Sequence, residues 1–297
     1  MSDKKYIYPR LSSQDWGWFR LSGAGLANTM FVAARAYINA KEQGLEMLSP
    51  TWRKWGIGPW LRGERDKRVY SRLFYNKGIS GFRKLWILKF QKSKLVTYQG
   101  NGVHFVDLEP KHKLISEYFR KITQISTCVL VPNHKLISEY FRKITRPEAI
   151  AQVPNVEELK NCIAVHVRMG DYSANWRIPI EWFKGIIENA QNLNPKSRFL
   201  IFSDGTDEEL AMLTALPNTE RVFYGNAYAD MVAISRCKML VASDSTFSCW
   251  GAFLGRVPTL FYRRNFPSIF SGNVPEEIIG ASIDMPEVFK NIILGDK

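Results

Sequence analysis

From residue 160 onward, short apolar segments alternate with amphipathic segments. Within the apolar segments, polar and apolar residues do not alternate, which is typical of strands buried on both faces of a sheet. They are residues 162–167, 198–202, 221–224, 238–242 and 258–262. The segments between them have apolar residues at helical spacing and predict helices over 181–190, 207–216, 228–237 and 246–254. This alternation predicts a doubly wound parallel α/β sheet, with its ligand outside the carboxyl ends of the strands.

The first half of the chain has one comparable signal. Gly23 and Gly25 form a turn after a short predicted strand, and residues 26–43 follow helical spacing. A glycine-rich turn that leads into a helix N-terminus is suited to binding an anion, although such turns are also common for purely structural reasons. We therefore predict two α/β domains that face a central cleft, formed by residues 1–155 and 156–297.

The segment HKLISEYFRKIT occurs twice, at residues 112–123 and 134–145. Its apolar residues follow helical spacing, so each copy predicts an amphipathic helix. Two copies are too few for a solenoid, which needs about three or more repeats. We interpret the repeat as a local duplication without a function of its own.

The composition is that of a globular protein. The chain has 297 residues, 45% of them hydrophobic, and no apolar run long enough to span a bilayer. Because the N-terminal residues also lack the pattern of a secretory signal, we expect a soluble, cytoplasmic protein. The four cysteines (Cys128, Cys162, Cys237 and Cys249) show no paired metal-ligand spacing, and we expect reduced thiols.

The segment CIAVHVRMGDY, residues 162–172, begins as a buried strand and ends in charged residues. Because side chains alternate along a strand, His166 and Arg168 are predicted on one side, followed by a turn at Gly170 and Asp171. Arg168 would thereby reach the ligand-facing edge of the sheet. The alternative is a salt bridge between Arg168 and Asp171 that closes the turn, and such pairs often contribute little energy.

Two other predicted strands also end in polar residues. These are Ser203 and Asp204 after FLIF, and Asp244, Ser245, Thr246 and Ser248 after MLVAS. The last four lie at a helix start, where N–H groups, hydroxyls and the helix dipole favour an anion, although the same residue types form ordinary N-caps. With Arg168 they predict a clamp for a diphosphate. Asp204 and Asp244 would accept hydrogen bonds from ribose or guanine, or else cap their helices.

Metal binding is not expected from this sequence. The chain lacks an Asp-x-Asp motif, an arrangement that can hold a metal on a diphosphate. The four histidines also lack ligand spacing; they are His104, His112, His134 and His166. We expect neither a metal nor a cofactor.

Four motifs in order resemble those of the α-1,2-fucosyltransferases. The segment HVRMGDY resembles the family's HxRxGDY motif, and GAGLANTMF resembles its opening GLGNQMF. The segment ISRCKMLVASDSTFSCWGAFLG is similar to S-x-C followed by NSTFSWWGAWL, and FSDG lies where the family usually has FSDD. The resemblance spans residues 23–254. It implies a GT-B fold of two Rossmann-like domains and inverting, metal-independent transfer of fucose from GDP-fucose, with the acceptor on the side of residues 1–155 and the donor on that of 156–297. It adds Asn28 and Phe247 to Gly23, Gly25 and the strand-end residues as candidates for donor binding.

The sequence departs from these motifs at several positions. The departures are Ala27, Thr29, Met169, Gly205, Asp244 and Cys249. They leave open another nucleotide-linked sugar as donor, as well as the linkage formed. An inactive, lectin-like relative is a further alternative.

The chemistry of such a transfer fits the residues. Arg168 would stabilise negative charge that develops on the leaving diphosphate. Asp171 and His166 are the candidates for the base that takes the acceptor proton, and Asp171 would otherwise orient Arg168. The expected partners are a GDP-linked sugar and an oligosaccharide or lipid-linked glycan, such as a surface-polysaccharide precursor.

The net charge of +13 is concentrated in one region. Residues 51–94 contain 13 Lys and Arg against two acids, a balance of 13 − 2 = +11. Aromatic residues are interleaved with them: Trp52, Trp55, Trp60, Phe74, Phe82, Trp86 and Phe90. This favours peripheral docking on an anionic membrane surface, on the inner face, and the alternative is a solvated face above core aromatics. Nucleic-acid binding is not expected, because it leaves the strand-end residues unexplained.

Overall fold

The computed structural model describes residues 4–21, 23–61, 63–99, 132–170, 172–263, 268–270 and 277–295. The chain divides into an N-terminal unit, Met1–Ala151, and a C-terminal unit, Gln152–Lys297. Each unit contains a parallel sheet with helices, so the predicted α/β class is confirmed. The acceptor and donor roles of the two domains stay predictions.

The N-terminal unit contains short strands and both long and short helices. Its strands are β1 (Tyr6–Pro9), β2 (Arg20–Leu21), β3 (Glu46–Met47), β4 (Lys54–Trp55) and β5 (Leu95–Tyr98). Its helices are α1 (Leu26–Gln43), α2 (Gly58–Leu61), α3 (Gly81–Phe90) and α4 (Pro132–Ile144), with 3-10 turns at Tyr70–Arg72, Lys92–Lys94 and Pro147–Ile150. The strands pair in the orders β3-β1-β5 and β2-β4, all parallel.

The two faces of strand β1 bury different clusters. Tyr6 and Tyr8 pack with Leu48 and Ile87 on one face, whereas Ile7 packs with the alanines of α1 on the other. This is the alternation that a strand imposes on its side chains. Helix α1 has the bounds that its spacing predicts, and it ends at Gly44, which has the left-handed conformation (φ 63°) that glycine adopts at little cost.

The second copy of the repeated segment, residues 134–145, forms most of α4. Its helical prediction is confirmed there, because Ile137 and Phe141 are buried and the ring of Tyr140 stacks on Tyr37 at 4.4 Å. The first copy, residues 112–123, lies outside the described residues.

The C-terminal unit contains one parallel sheet of six described strands. They are β6 (Cys162–Val167), β7 (Arg198–Ser203), β8 (Thr219–Arg221), β9 (Met239–Ala242), β10 (Thr259–Phe261) and β11 (Glu277–Ile279). The helices are α5 (Val156–Leu159), α6 (Ile180–Leu193), α7 (Asp207–Thr214), α8 (Ala227–Ile234), α9 (Thr246–Gly255) and α10 (Glu287–Leu294), with a 3-10 turn at Ala174–Trp176. Its core lies between the sheet and helices α6, α7 and α10.

The strands of the sheet lie in the order β11-β10-β9-β6-β7-β8. Strand β6, which comes first in the chain, therefore lies in the interior of the sheet. From β6 the chain runs outward through β7 and β8, returns to β9 on the other side of β6, and continues to β11. The order of strands therefore reverses between β6 and β9. In open α/β sheets, ligands bind outside the carboxyl ends of the strands at such a switch point.

One strand prediction is wrong in its bounds. The apolar segment 221–224 predicts a strand, whereas β8 is Thr219–Arg221 and pairs with residues 199–201 of β7. Strand β8 is at the edge of the sheet and only half-buried, so its residues lack the apolar signal. Gly225, at φ 90°, then turns the chain towards α8.

Three of the cysteines are described, and each is a buried thiol: Cys162, Cys237 and Cys249. This agrees with the expected thiols, and Cys128 lies outside the described residues. Among the helices described, none combines the length and apolar character needed to cross a bilayer.

Candidate active site

The ends of β6 and β9 leave the sheet side by side. His166 is opposite Ala242 in the register of the two strands, so Arg168 and Ser243 follow at the same edge. The Ser243 N–H donates to the His166 carbonyl at 2.9 Å, and the Arg168 N–H donates to the Ser243 hydroxyl at 2.9 Å. These bonds fix the two chain segments on either side of the switch point.

The guanidinium of Arg168 pairs with Asp204, which follows β7. The other oxygen of the Asp204 carboxylate accepts from the Met169 N–H at 2.9 Å. Arg168 also lies over the ring of Tyr172, with its central carbon 5.1 Å from the ring centre. The partner of Arg168 among the described residues is therefore Asp204, whereas Asp171, the partner considered from the sequence, lies outside them.

Gly170 allows this pair to form. Its φ is +22°, and a Cβ at this position would collide with the Asp204 carboxylate. The glycine of the RMGD turn is thus required by a residue from the neighbouring strand. Asp204 is exposed and holds protein groups through both of its oxygens, so it orients Arg168 whether or not it also contacts a nucleotide.

Arg177 braces the same turn and was not predicted from the sequence. Its Nε donates to the Tyr172 carbonyl at 3.1 Å, and its Nη1 pairs with Glu209 Oε1 at 2.7 Å. Sequence reasoning missed this residue because it belongs to no strand end or helix start. Tyr172 and Ser243 were also missed as site residues, although both stand inside the segments that the motifs cover.

His166 is buried and connects β6 to the start of α9. Its Nδ1 lies 2.6 Å from the Ser248 hydroxyl, and its ring stacks on Phe247 with centres 4.6 Å apart. Burial, assisted by the charge of Arg168, lowers the pKa of His166 to about 3. The imidazole is therefore neutral near pH 7 and a weak base, which favours a positioning role over its predicted role in proton transfer.

The residues at the start of α9 make different contacts. Ser245 is the N-cap, since its hydroxyl accepts from the Phe247 N–H at 3.2 Å, and the Ser248 hydroxyl contacts His166. Asp244 is buried, and its carbonyl accepts from the Tyr172 hydroxyl at 3.4 Å. Thr246 and Phe247 are half-buried. Ser245 thus caps the helix, whereas Ser248 and Asp244 contact other segments, and anion binding at this helix start stays a prediction.

Ser203 also holds protein groups together. Its hydroxyl donates to the Val167 carbonyl at 2.6 Å and accepts from the Gly205 N–H at 3.0 Å. It therefore ties the end of β7 to the end of β6. This contact places Asp204 opposite Arg168.

The remaining candidates lie in the N-terminal unit. Gly23 has φ +94°, and a Cβ there would lie 2.7 Å from Nη1 of the buried Arg20. Gly25 is the N-cap of α1, with open space around it, and Asn28 is exposed in the first helical turn. The glycine-rich turn is thus formed as predicted, and donor binding by these residues stays a prediction.

Within the part of the chain that the structure describes, no group of three His, Cys, Asp or Glu side chains has the arrangement of a metal site. That no metal takes part stays a prediction. Arg168 is a cation at this edge, and its backbone N–H donates to Ser243 in the segment that leads into α9.

Residues 137–262 match the family model of Glycosyl transferase family 11. This range contains the segments from β6 to β10 that carry Arg168 and the start of α9. The resemblance inferred from the motifs is thereby confirmed. Over residues 137–262 the chain is thus similar to the family 11 glycosyltransferases.

Two known proteins are similar to this chain. The O-antigen biosynthesis glycosyltransferase WbnK of Escherichia coli is 26% identical over 107 residues, which are 33% of this chain and 35% of that protein. The match thus spans about a third of the relative's length. The solved fucosyltransferase NodZ from Bradyrhizobium is 15% identical, with a TM-score of 0.50 over 87% of this chain and 95% of that one. This likeness confirms the GT-B class of the fold.

Proposed function

We propose that the protein is an inverting α-1,2-fucosyltransferase that moves L-fucose from GDP-fucose to a glycan, without a metal. The observation that carries the proposal is Arg168, oriented by Asp204 beside the start of α9 at the switch point of the sheet. The family match supports a glycosyltransferase, and the names of NodZ and WbnK support fucose and a surface-polysaccharide acceptor. We place the reaction in the cytoplasm, where a nucleotide sugar would serve as substrate.

Cleavage of the bond between sugar and diphosphate leaves negative charge on the departing oxygens. A guanidinium offers N–H donors in a planar fork that suits phosphate oxygens. Because Asp204 and Tyr172 already hold Arg168, little reorientation is needed as the charge develops. Backbone N–H groups at the start of α9 would bind the same diphosphate.

The base that takes the acceptor proton is assigned to Asp171. The other candidate, His166, is buried and has a pKa of about 3. Asp171→Asn should therefore lower turnover while leaving GDP binding intact. Loss of GDP binding in this variant would instead indicate that Asp171 positions the donor.

An alternative to GDP-fucose as the donor is another nucleotide-linked sugar. Two departures from the family motifs favour this alternative. Met169 and Gly205 depart from the family motifs, in which an arginine is frequent at the first position and FSDD has an aspartate at the second. They are neighbours, since a Cβ at Gly205 would lie 3.0 Å from Met169 Cγ. At both positions this chain thus lacks a charge near Arg168. Product analysis with a panel of sugar nucleotides separates the two donors.

Thermal unfolding with nucleotides tests the donor site. GDP should raise the melting temperature more than UDP or ADP, and Arg168→Ala should abolish this rise. Arg198→Ala is the matched control, because Arg198 is an exposed arginine at the opposite end of strand β7. Equal shifts with all three nucleotides would remove the guanine specificity.

The reaction itself is tested with GDP-fucose and candidate glycans. We expect GDP release together with a product that is heavier by one deoxyhexose. The new sugar should have the α configuration at its anomeric carbon and be linked to a 2-hydroxyl of the acceptor. Absence of GDP release with every acceptor would favour an inactive, lectin-like protein. A β configuration would exclude inversion.

A further inference from the structure

Helix α3 has an exposed aromatic stripe. Phe82, Trp86 and Phe90 follow one another at i, i+4 and i+8 and therefore share one face of the helix. Their exposed fractions are 83%, 44% and 63%, and the rings of Trp86 and Phe90 are 6.1 Å apart. A helix of a globular protein normally buries such a stripe. The buried residues of α3 are Lys84 and Ile87 instead.

The buried side of α3 is well anchored. Lys84 Nζ donates to the Thr51 hydroxyl at 3.0 Å and lies 4.9 Å from the ring centre of Tyr8. Ile87 packs in the cluster that contains Tyr8 and Leu48. The helix is therefore fixed in the orientation that exposes its aromatic stripe.

A second aromatic group lies next to this helix. Trp16 and Trp18 contact Phe19 with ring centres 4.8 and 4.5 Å apart, and Phe19 contacts Trp55 of β4 at 6.3 Å. The three tryptophans are exposed. A Cβ at Gly17 would lie 2.7 Å from Leu88 and 3.0 Å from Leu85, so this loop packs directly on α3.

Further exposed apolar residues lie in α2 and directly before it. Ile57, Trp60 and Leu61 are all exposed there. We use the term aromatic surface for these exposed residues together: Trp16, Trp18, Trp55, Ile57, Trp60, Leu61, Phe82, Trp86 and Phe90. A monomeric protein rarely exposes so many large apolar side chains without a binding partner.

Cations accompany the rings of the aromatic surface. Lys67 Nζ lies 5.2 Å from the ring centre of Trp60, and Lys89 Nζ lies 5.2 Å from that of Phe90. Of the two acids between residues 51 and 94, Glu64 is paired with Arg68 at 2.8 Å. Two cations of this region thus lie close to exposed aromatic rings.

We propose that the aromatic surface docks on an anionic lipid leaflet, with its rings at the level of the headgroups. Indole and phenyl rings favour that level, and each cation near an anionic leaflet contributes about 1 kcal/mol. A second copy of the chain is disfavoured, because residues 51–94 of each copy carry a net charge of +11 and would repel each other. A neutral glycan would make no use of the charge. Docking does not depend on the proposed donor site.

Flotation with lipid vesicles tests the docking. The wild-type chain should bind vesicles of phosphatidylcholine with phosphatidylglycerol at least about tenfold more tightly than vesicles of phosphatidylcholine alone, and salt near about 1 M should release it. Equal binding to both vesicles, or none to either, would overturn the proposal. This comparison uses the unaltered protein.

Substitution of the aromatic stripe gives the second test. The triple variant Phe82→Ser, Trp86→Ser and Phe90→Ser should lose about tenfold or more in affinity for the anionic vesicles. The matched control replaces exposed apolar residues of the C-terminal unit, Val156→Ser and Leu294→Ser. Equal loss in this control would contradict a role for the stripe.

Charge reversal gives the third test. Arg83→Glu, Lys89→Glu and Lys92→Glu together should weaken binding to the anionic vesicles, whereas the same charge change at Lys160, Lys196 and Lys290 should have a smaller effect. Size-exclusion chromatography with light scattering checks for a dimer that the stripe variant abolishes, which would indicate a second copy as the occupant. An unchanged melting shift with GDP separates failure of docking from failure of the proposed function.

Discussion

Two regions of the molecule differ in how their cations are held. One is the edge of the C-terminal sheet at the ends of β6 and β9, here called the ligand edge, and the other is the aromatic surface of the N-terminal unit. At the ligand edge, Arg168 is held by Asp204, by a ring and through its own backbone. At the aromatic surface, cations such as Lys67 and Lys89 lie over exposed rings. A single oriented cation suits a small anion in one geometry, whereas dispersed cations suit a broad anionic surface.

Arg168→Ala gives the largest expected difference between the two regions. Turnover should fall by roughly 100-fold or more, because a donor aimed at the leaving group is lost. Arg83→Ala, next to Phe82 of the aromatic surface, should leave turnover on a soluble acceptor unchanged. Initial rates of GDP release measure both. Comparable losses in the two variants would contradict the distinction.

The apolar contact between Met169 and Gly205 is the next feature to test. Met169→Arg places a charge at a buried position and should cost about 3 kcal/mol of unfolding free energy. Adding Gly205→Asp supplies a partner, and the pair should recover on the order of 1 kcal/mol or more relative to the sum of the single changes. Urea unfolding measures these values.

Met212→Arg is the control for that series. Met212 is exposed on α7, so an arginine there should change stability by less than about 0.5 kcal/mol. Additive effects of the Met169 and Gly205 changes would contradict coupling between the two positions.

His166 should make the ligand edge sensitive to acid. Its pKa is about 3 in the folded chain and near 6.5 ordinarily, so the unfolded chain binds more protons between these values. Stability should therefore fall as the pH drops from about 6.5 towards about 3. His166→Asn keeps a polar group near Ser248 without this titration. Unfolding measured against pH should show a flatter acid limb for the variant, and parallel curves would contradict the assignment.

The aromatic stripe should have the smallest effect on stability. Because Phe82, Trp86 and Phe90 are exposed, the triple serine variant should change the unfolding free energy by little more than about 0.5 kcal/mol per site. Phe74→Ser is the contrast, since Phe74 is buried in the same unit and its loss should cost about 3 kcal/mol or more. A large loss from the stripe variant would show that the rings support the fold.

The sequence predicted the C-terminal unit better than the N-terminal one. Strands β6 and β7 are buried on both faces and therefore read as apolar runs, and their predicted bounds agree within one residue. Strand β8 is at an edge, and β3 and β4 have two residues each, so they lack a pattern long enough to detect. Helix α3 was not predicted from the sequence. Its exposed aromatic stripe adds apolar residues outside the buried face, so the usual pattern of a single apolar face is lost.

The sequence by itself determined that strands and helices alternate after residue 160, and that Arg168 and the start of α9 both follow strands of one sheet. These features depend on local periodicity, which neighbouring residues encode. Only the tertiary structure decided that Asp204 pairs with Arg168 and that Ser248 contacts His166. The partners are 36 and 82 residues apart, and the order of strands in the sheet brings them together.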